Sequence, residues 1–206
     1  MNEHSRTMQL CVVLAAAGLV AGAKASVITD PAQIDASAAA IITFEGMSLG
    51  LQPSPLTLGD VTFSAETGLG IASVAPYGAD GTEVAGLTLK PDPSMTYDSG
   101  PYGTMVIAFA DPISQFLVGW FDPNGPGNVA RAFDGDGKLL EEGAVQSGPP
   151  GGCCAAWIGF VRATADIHSV HIVPSAPDDW YGIDNLHYVV GVSDPCRADL
   201  NGDGDV

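Results

Sequence analysis

The residues with the most definite chemistry stand at the end of the chain. Asp199-Leu200-Asn201-Gly202-Asp203-Gly204-Asp205-Val206 fits the first eight positions of a calcium-binding loop. In such a loop, oxygens at positions 1, 3 and 5 converge on one centre. A Gly at position 6 makes the sharp turn, and position 7 lends its backbone carbonyl. Here Asp199, Asn201 and Asp203 supply the side-chain oxygens, and Asp205 stands at position 7. The acid required at position 12 would lie beyond Val206. This chain is therefore expected to hold half a site and to bind Ca2+ weakly. A solvated acidic tail is the plainer alternative.

A second cluster is Asp178-Asp179-Trp180-Tyr181, two aromatics beside two acceptors. The apolar face of a sugar ring buries well against an indole or phenol. Trp180 and Tyr181 are thus candidate glycan-binding residues, with packing at a domain rim as the alternative. Trp120 and Trp157 lie inside strong apolar runs and read as core.

Nothing in the sequence recommends an enzyme. A glycosidase needs two carboxylates flanking a cleft, and among 24 acids no pair stands out. No Ser sits in a G-x-S-x-G elbow, and no phosphate-cradling motif is present. His168 and His171 are three residues apart, which in a regular strand puts them on opposite faces. They read, with His187, as strand-surface or core residues, and no catalytic residue is assigned.

Composition supplies the setting. The formal charge of −17 and the pI near 4.1 oppose binding to nucleic acid or an anionic membrane. Charged residues are only 15% and hydrophobic ones 46%, which excludes a coiled coil or an acidic disordered chain. Of the 24 acids, 18 are Asp, the acid of turns and calcium loops.

Residues 1–25 read as a signal peptide. Arg6 precedes an uncharged apolar stretch, and Ala23-Lys24-Ala25 fits the cleavage rule. The stretch from 10 to 22 is too short to span a bilayer. The expected address is secreted or cell-surface, with no membrane-spanning segment in the mature chain. Cys153, Cys154 and Cys196 then remain. A link from one of the pair to Cys196, a vicinal disulfide and free thiols are all open.

These candidates hang on a series of short apolar runs, among them 41–44, 61–64, 69–74, 105–109, 116–121, 129–133, 157–161, 170–173 and 183–190. Gly, Pro, Asp and Asn separate them, and no helical period persists. That spacing predicts an all-β sandwich or barrel. One short helix is expected from Pro31. Asp134-Gly135-Asp136-Gly137 reads as a hairpin turn. The expected division is a β-sandwich over 26–192, a linker over 193–198 and the calcium-loop fragment over 199–206.

Two resemblances add to this. The segment 197–206 resembles the opening of a dockerin-type, EF-hand-like repeat. That likeness implies a cohesin-like docking partner only if a second repeat completes it. Ile42-Thr43-Phe44-Glu45-Gly46, Leu58-Gly59-Asp60-Val61-Thr62-Phe63-Ser64 and Gly182-Ile183-Asp184-Asn185-Leu186 resemble the jelly-roll sandwiches of exported bacterial surface proteins. These include exosortase-sorted, carbohydrate-binding and MAM-type domains. The likeness implies a jelly-roll-like antiparallel β-sandwich whose first and last strands are neighbours. It also implies a structural calcium held by Glu45 and Asp184, with Asn185 and backbone carbonyls completing the shell. The function expected is a non-catalytic surface module that binds glycan. A purely structural or adhesive module and a polysaccharide hydrolase are the alternatives.

Overall fold

A computed structural model describes residues 26–74, 86–90, 103–121, 126–145, 155–175 and 181–191. The expected signal segment, the linker, the calcium-loop residues, the three cysteines and Trp180 lie outside the described residues. The chain is all-β and antiparallel, consistent with a β-sandwich. Its strands are β1 (Ser26–Ile28), β2 (Ala40–Ile42), β3 (Gly50–Gln52), β4 (Leu56–Leu58), β5 (Val61–Ala65), β6 (Leu69–Val74), β7 (Gly86–Lys90), β8 (Met105–Phe121), β9 (Val129–Phe133), β10 (Leu139–Ala144), β11 (Ala155–Val161), β12 (Ile167–Val173) and β13 (Gly182–Val190). The helix expected from Pro31 is a single 3-10 turn, Pro31–Gln33, capped by Asp30, whose Oδ1 accepts the Ala32 N–H.

The 17-residue strand β8 organises both layers. The runs 105–109 and 116–121, separated in sequence by Asp111-Pro112, are one strand. Its first half lies between β5 and β12, and its second half between β11 and β13. Pro112 falls where the neighbours change, and it has no N–H to donate to either ladder. One layer therefore runs β4-β5-β8-β12-β9-β10. The other runs β1-β11-β8-β13, with β2 and β7 sharing the far edge of β13.

Burial follows from this arrangement. In the first half of β8, Met105, Ile107 and Phe109 are buried and alternate with half-buried neighbours. Residues 116–121 are all buried, because both faces of that half are covered. Phe116, Val118 and Trp120 face the main core, with Phe63, Ile107, Ile172 and Ile183. Leu117 faces a second cluster with Ile28, Ile34 and Trp157, supplied in part by the N-terminal segment. Trp120 and Trp157 are thus both core, as expected. Gly159 is required where β11 crosses β8, since a Cβ there would stand 2.2 Å from the Phe116 carbonyl oxygen.

The expected hairpin joins β9 and β10. Asp134 Oδ1 accepts the N–H groups of Asp136 and Lys138 at 3.0 and 2.8 Å, and Gly137 takes a positive φ of 77°. No helix among the described residues is long and apolar enough to cross a membrane.

Candidate functional site

Two places gather chemistry. The first is the rim where β2 meets β13. Leu186 pairs with Ile42 and Tyr188 with Ala40, so the early and last strands are neighbours. Glu45 sits not in the strand but at the first corner of the turn that follows it. The Met47 N–H closes that turn on the Phe44 carbonyl, and Gly46 has φ 84°. Asp184 lies opposite Gly119 on β8 and is 2% exposed. The register slips just after it, where Asn185 adopts φ 49°. Asp184 Oδ1 accepts the Asn185 N–H at 2.7 Å.

Burial pushes the Asp184 carboxyl up to about 6, against the opposing pull of backbone N–H bonds, and the negative Glu45 adds to the rise. The sequence thus paired two carboxylates that the fold does bring within electrostatic reach. Two carboxylates fall short of the six to eight oxygens that calcium takes. No group of three or more His, Cys, Asp and Glu fit to hold a metal occurs among the described residues. Any cation here would draw its remaining ligands from backbone carbonyls and water.

The second place is the outer face of the layer β4-β5-β8-β12-β9-β10. Strand alternation turns Val61, Phe63, Ile107, Val170 and Ile172 inward and leaves their neighbours outside. Antiparallel register then aligns Ser64, Val106, His171, Arg131 and Glu142 across five strands. The next row is Thr57, Thr62, Ala108, Ser169 and Phe133. The central strand contributes only Val106 and Ala108, both small. A groove of about 540 Å³ lies here, lined by Ser64, Ala65, Glu66, Thr104, Val106 and His171.

The His171 ring lies 4.4 Å from that of Phe133, tilted by 43°. Burial, and then the Arg131 charge, lower the His171 pKa, so the imidazole is neutral at neutral pH. Arg131 Nε donates to Glu142 Oε2 at 2.6 Å. The face thus offers the Phe133 ring, hydroxyls, a neutral imidazole and the carboxylates of Glu66 and Glu142.

Two expectations need correction. Tyr181 is not a stacking surface, since it is wholly buried. Its hydroxyl accepts the Met105 N–H at 3.1 Å and donates to the Gly103 carbonyl at 2.8 Å. Its ring packs on Trp120 with centroids 5.2 Å apart. Packing, the alternative reading, describes it.

His168 and His171 are not on opposite faces either. The register of β12 shifts between Ile167 and Ser169, so Ile167, Val170 and Ile172 all face the core. The bulge adds a residue and turns both histidines outward. His168 lies over the hairpin, where a Cβ on Gly135 would meet its ring at 3.2 Å. The groove residues escaped the sequence reading, because Ser64, Val106 and His171, with Phe133 beside the last, carry no shared motif. Only the alternation of their strands marked them as outward.

The fold and this face describe an all-β antiparallel protein with an open, mixed-polarity sheet face among the described residues. No protein-family model and no curated protein matches the sequence. Among solved structures, the chain is similar to the Clostridium thermocellum N-terminal endo-1,4-beta-D-xylanase 10B, CBM22-1–GH10 modules complexed with xylohexaose. That match has a TM-score of 0.35 and 9% identity, over 70% of this chain and 28% of that one. A second is the enzymatically active domain of tailspike protein 4 of bacteriophage CBA120, with a TM-score of 0.23 and 15% identity, over 61% of this chain and 19% of that one. At these scores neither likeness assigns a family or an activity.

Proposed function

We propose that this chain is an exported, non-catalytic β-sandwich module of a cell-surface or extracellular protein that binds glycan on the open face of its β4-β5-β8-β12-β9-β10 layer. The observation that carries this is the groove of about 540 Å³ with the Phe133–His171 ring pair at its side and hydroxyls along its walls. Sugars need such a mixture, an apolar ring to cover and donors and acceptors at its edge. Residues 1–25 support export through their signal-like pattern.

Calcium is part of the proposal. Glu45 and Asp184 would hold a structural ion at the β2–β13 rim, and Asp199, Asn201, Asp203 and Asp205 a second one in the C-terminal loop. A cohesin-like partner would follow only from a completed repeat.

A glycan array with the full chain, repeated with Phe133→Ala and Trp180→Ala, tests the reading. Binding that survives Trp180→Ala and fails in Phe133→Ala supports it. Binding lost only with Trp180→Ala moves the site to the residues just before β13. A silent array leaves a structural or adhesive module, which the exposed Leu49 and Leu51 beside and on strand β3 would favour. Turnover of any glycoside or ester substrate would overturn the non-catalytic part.

A further inference from the structure

We infer that the groove takes neutral glycan chains, built of unsubstituted hexose or pentose rings, and turns away chains bearing uronate or sulfate. This deepens the glycan reading above and rests on it. The argument is a census of cations. The chain has 7 Lys and Arg in all, and Arg6 and Lys24 belong to the signal-like segment. Arg197 is also outside the described residues. Of the four others, Lys90 is 1% exposed and Arg162 is paired with Asp166. Lys138 belongs to the hairpin between β9 and β10.

Only Arg131 stands in the groove's row, and Glu142 holds it. A carboxylate or sulfate entering the groove would find no Lys or Arg among the residues that line it, and such groups are what recognise it. It would instead meet the exposed Glu66, and like charge is how a site rejects the wrong ligand. The net charge of −17 acts in the same direction at longer range.

What remains suits hydroxyls. Ser64 and Thr104 both donate and accept, Glu66 accepts, and a neutral His171 offers one donor and one acceptor. The groups that face His171 are Arg131 from β9 with its Glu142 from β10 and Glu66 beyond β5, while β8 presents Val106, and Thr104, the residue before that strand, adds a hydroxyl.

Calorimetric titration of the full chain tests this. The neutral probes are a β-linked glucose oligosaccharide and a β-linked xylose oligosaccharide. The acidic probes are polygalacturonate and a sulfated galactan. Each is run in EDTA and again in millimolar calcium, because a bridging cation would also carry a uronate.

The expected result is binding of a neutral probe only, about tenfold weaker in Phe133→Ala or His171→Ala. Glu66→Lys should gain affinity for polygalacturonate, a gain that misfolding cannot mimic. Acidic-probe binding by the unaltered protein, in either buffer and lost in Phe133→Ala, overturns the neutral assignment and leaves the glycan reading standing. Binding of no probe at all overturns the glycan reading and this inference with it.

Discussion

Replacing Asp184 by Asn should stabilise the calcium-free domain at pH 7.5, although it removes a buried side chain's charge from a hydrogen-bonded position. Asp184 is 2% exposed, and its carboxyl is raised from 3.8 to about 6. A shift of about 2 units, at about 1.4 kcal/mol each, makes the ionised form cost about 3 kcal/mol.

The folded pKa lies above the unfolded one, so the folded state holds the proton more tightly. The penalty is absent below about pH 4, grows between about 4 and 6, and is fully present above. Wild-type stability should therefore rise as the pH falls through that window, relative to the variant. His171 and His187 oppose this, because burial lowers both and they favour the unfolded state as pH falls below 6.5. Comparing variant and wild type at each pH cancels them. Asn keeps an acceptor for the Asn185 N–H, so the loop geometry is not the variable.

Thermal melts in EDTA at pH 7.5 should place Asp184→Asn roughly 5–10 °C above wild type. Calcium should close this gap. An ion at 100 times its Kd adds about 2.7 kcal/mol to the wild type and nothing to a variant that cannot hold it. A variant no more stable than wild type in EDTA would refute the desolvated-charge argument. An equal calcium shift in both proteins would refute the site.

Tyr181→Phe leaves the Met105 N–H without its buried acceptor, and should lose about 1–3 kcal/mol in urea denaturation. Gly159→Ala should abolish soluble expression or collapse the melt, because the new methyl would meet the Phe116 carbonyl oxygen at 2.2 Å. Arg131→Ala should change stability by less than about 1 kcal/mol, since its ion pair is exposed at 40% and 45%. Glycan affinity of the wild type should fall once the pH drops far enough below 6.5 for His171, whose pKa burial lowers, to gain a proton. A flat profile would show that His171 does not touch the ligand.

Much of the fold was legible in the sequence. Apolar runs divided by Gly, Pro and Asp gave the all-β class, because these residues supply the turns that a strand cannot. Asp134-Gly135-Asp136-Gly137 announced its hairpin for the same reason. The strand that carries Asp184 and the turn that carries Glu45 could be paired through motif likeness. The joining of 105–109 to 116–121 was hidden, since a proline normally ends a strand. It is tolerated here only because the partners change at Pro112.

Sequence by itself determined the apolar runs that become strands and turns such as the one at Asp134-Gly135-Asp136-Gly137. It left open which layer covers each face. Tyr181 looked exposed beside two aspartates, and only the closure of β13 on β8 showed it enclosed. His168 and His171 looked opposed until one bulge in β12 changed the parity. The groove joins residues 64, 104 and 171, with 133 beside the last, all far apart in the chain, and no local rule links them. Alternation is a property of one strand, whereas a site on a sheet is set by register between strands. Register is decided by the packing of the whole core.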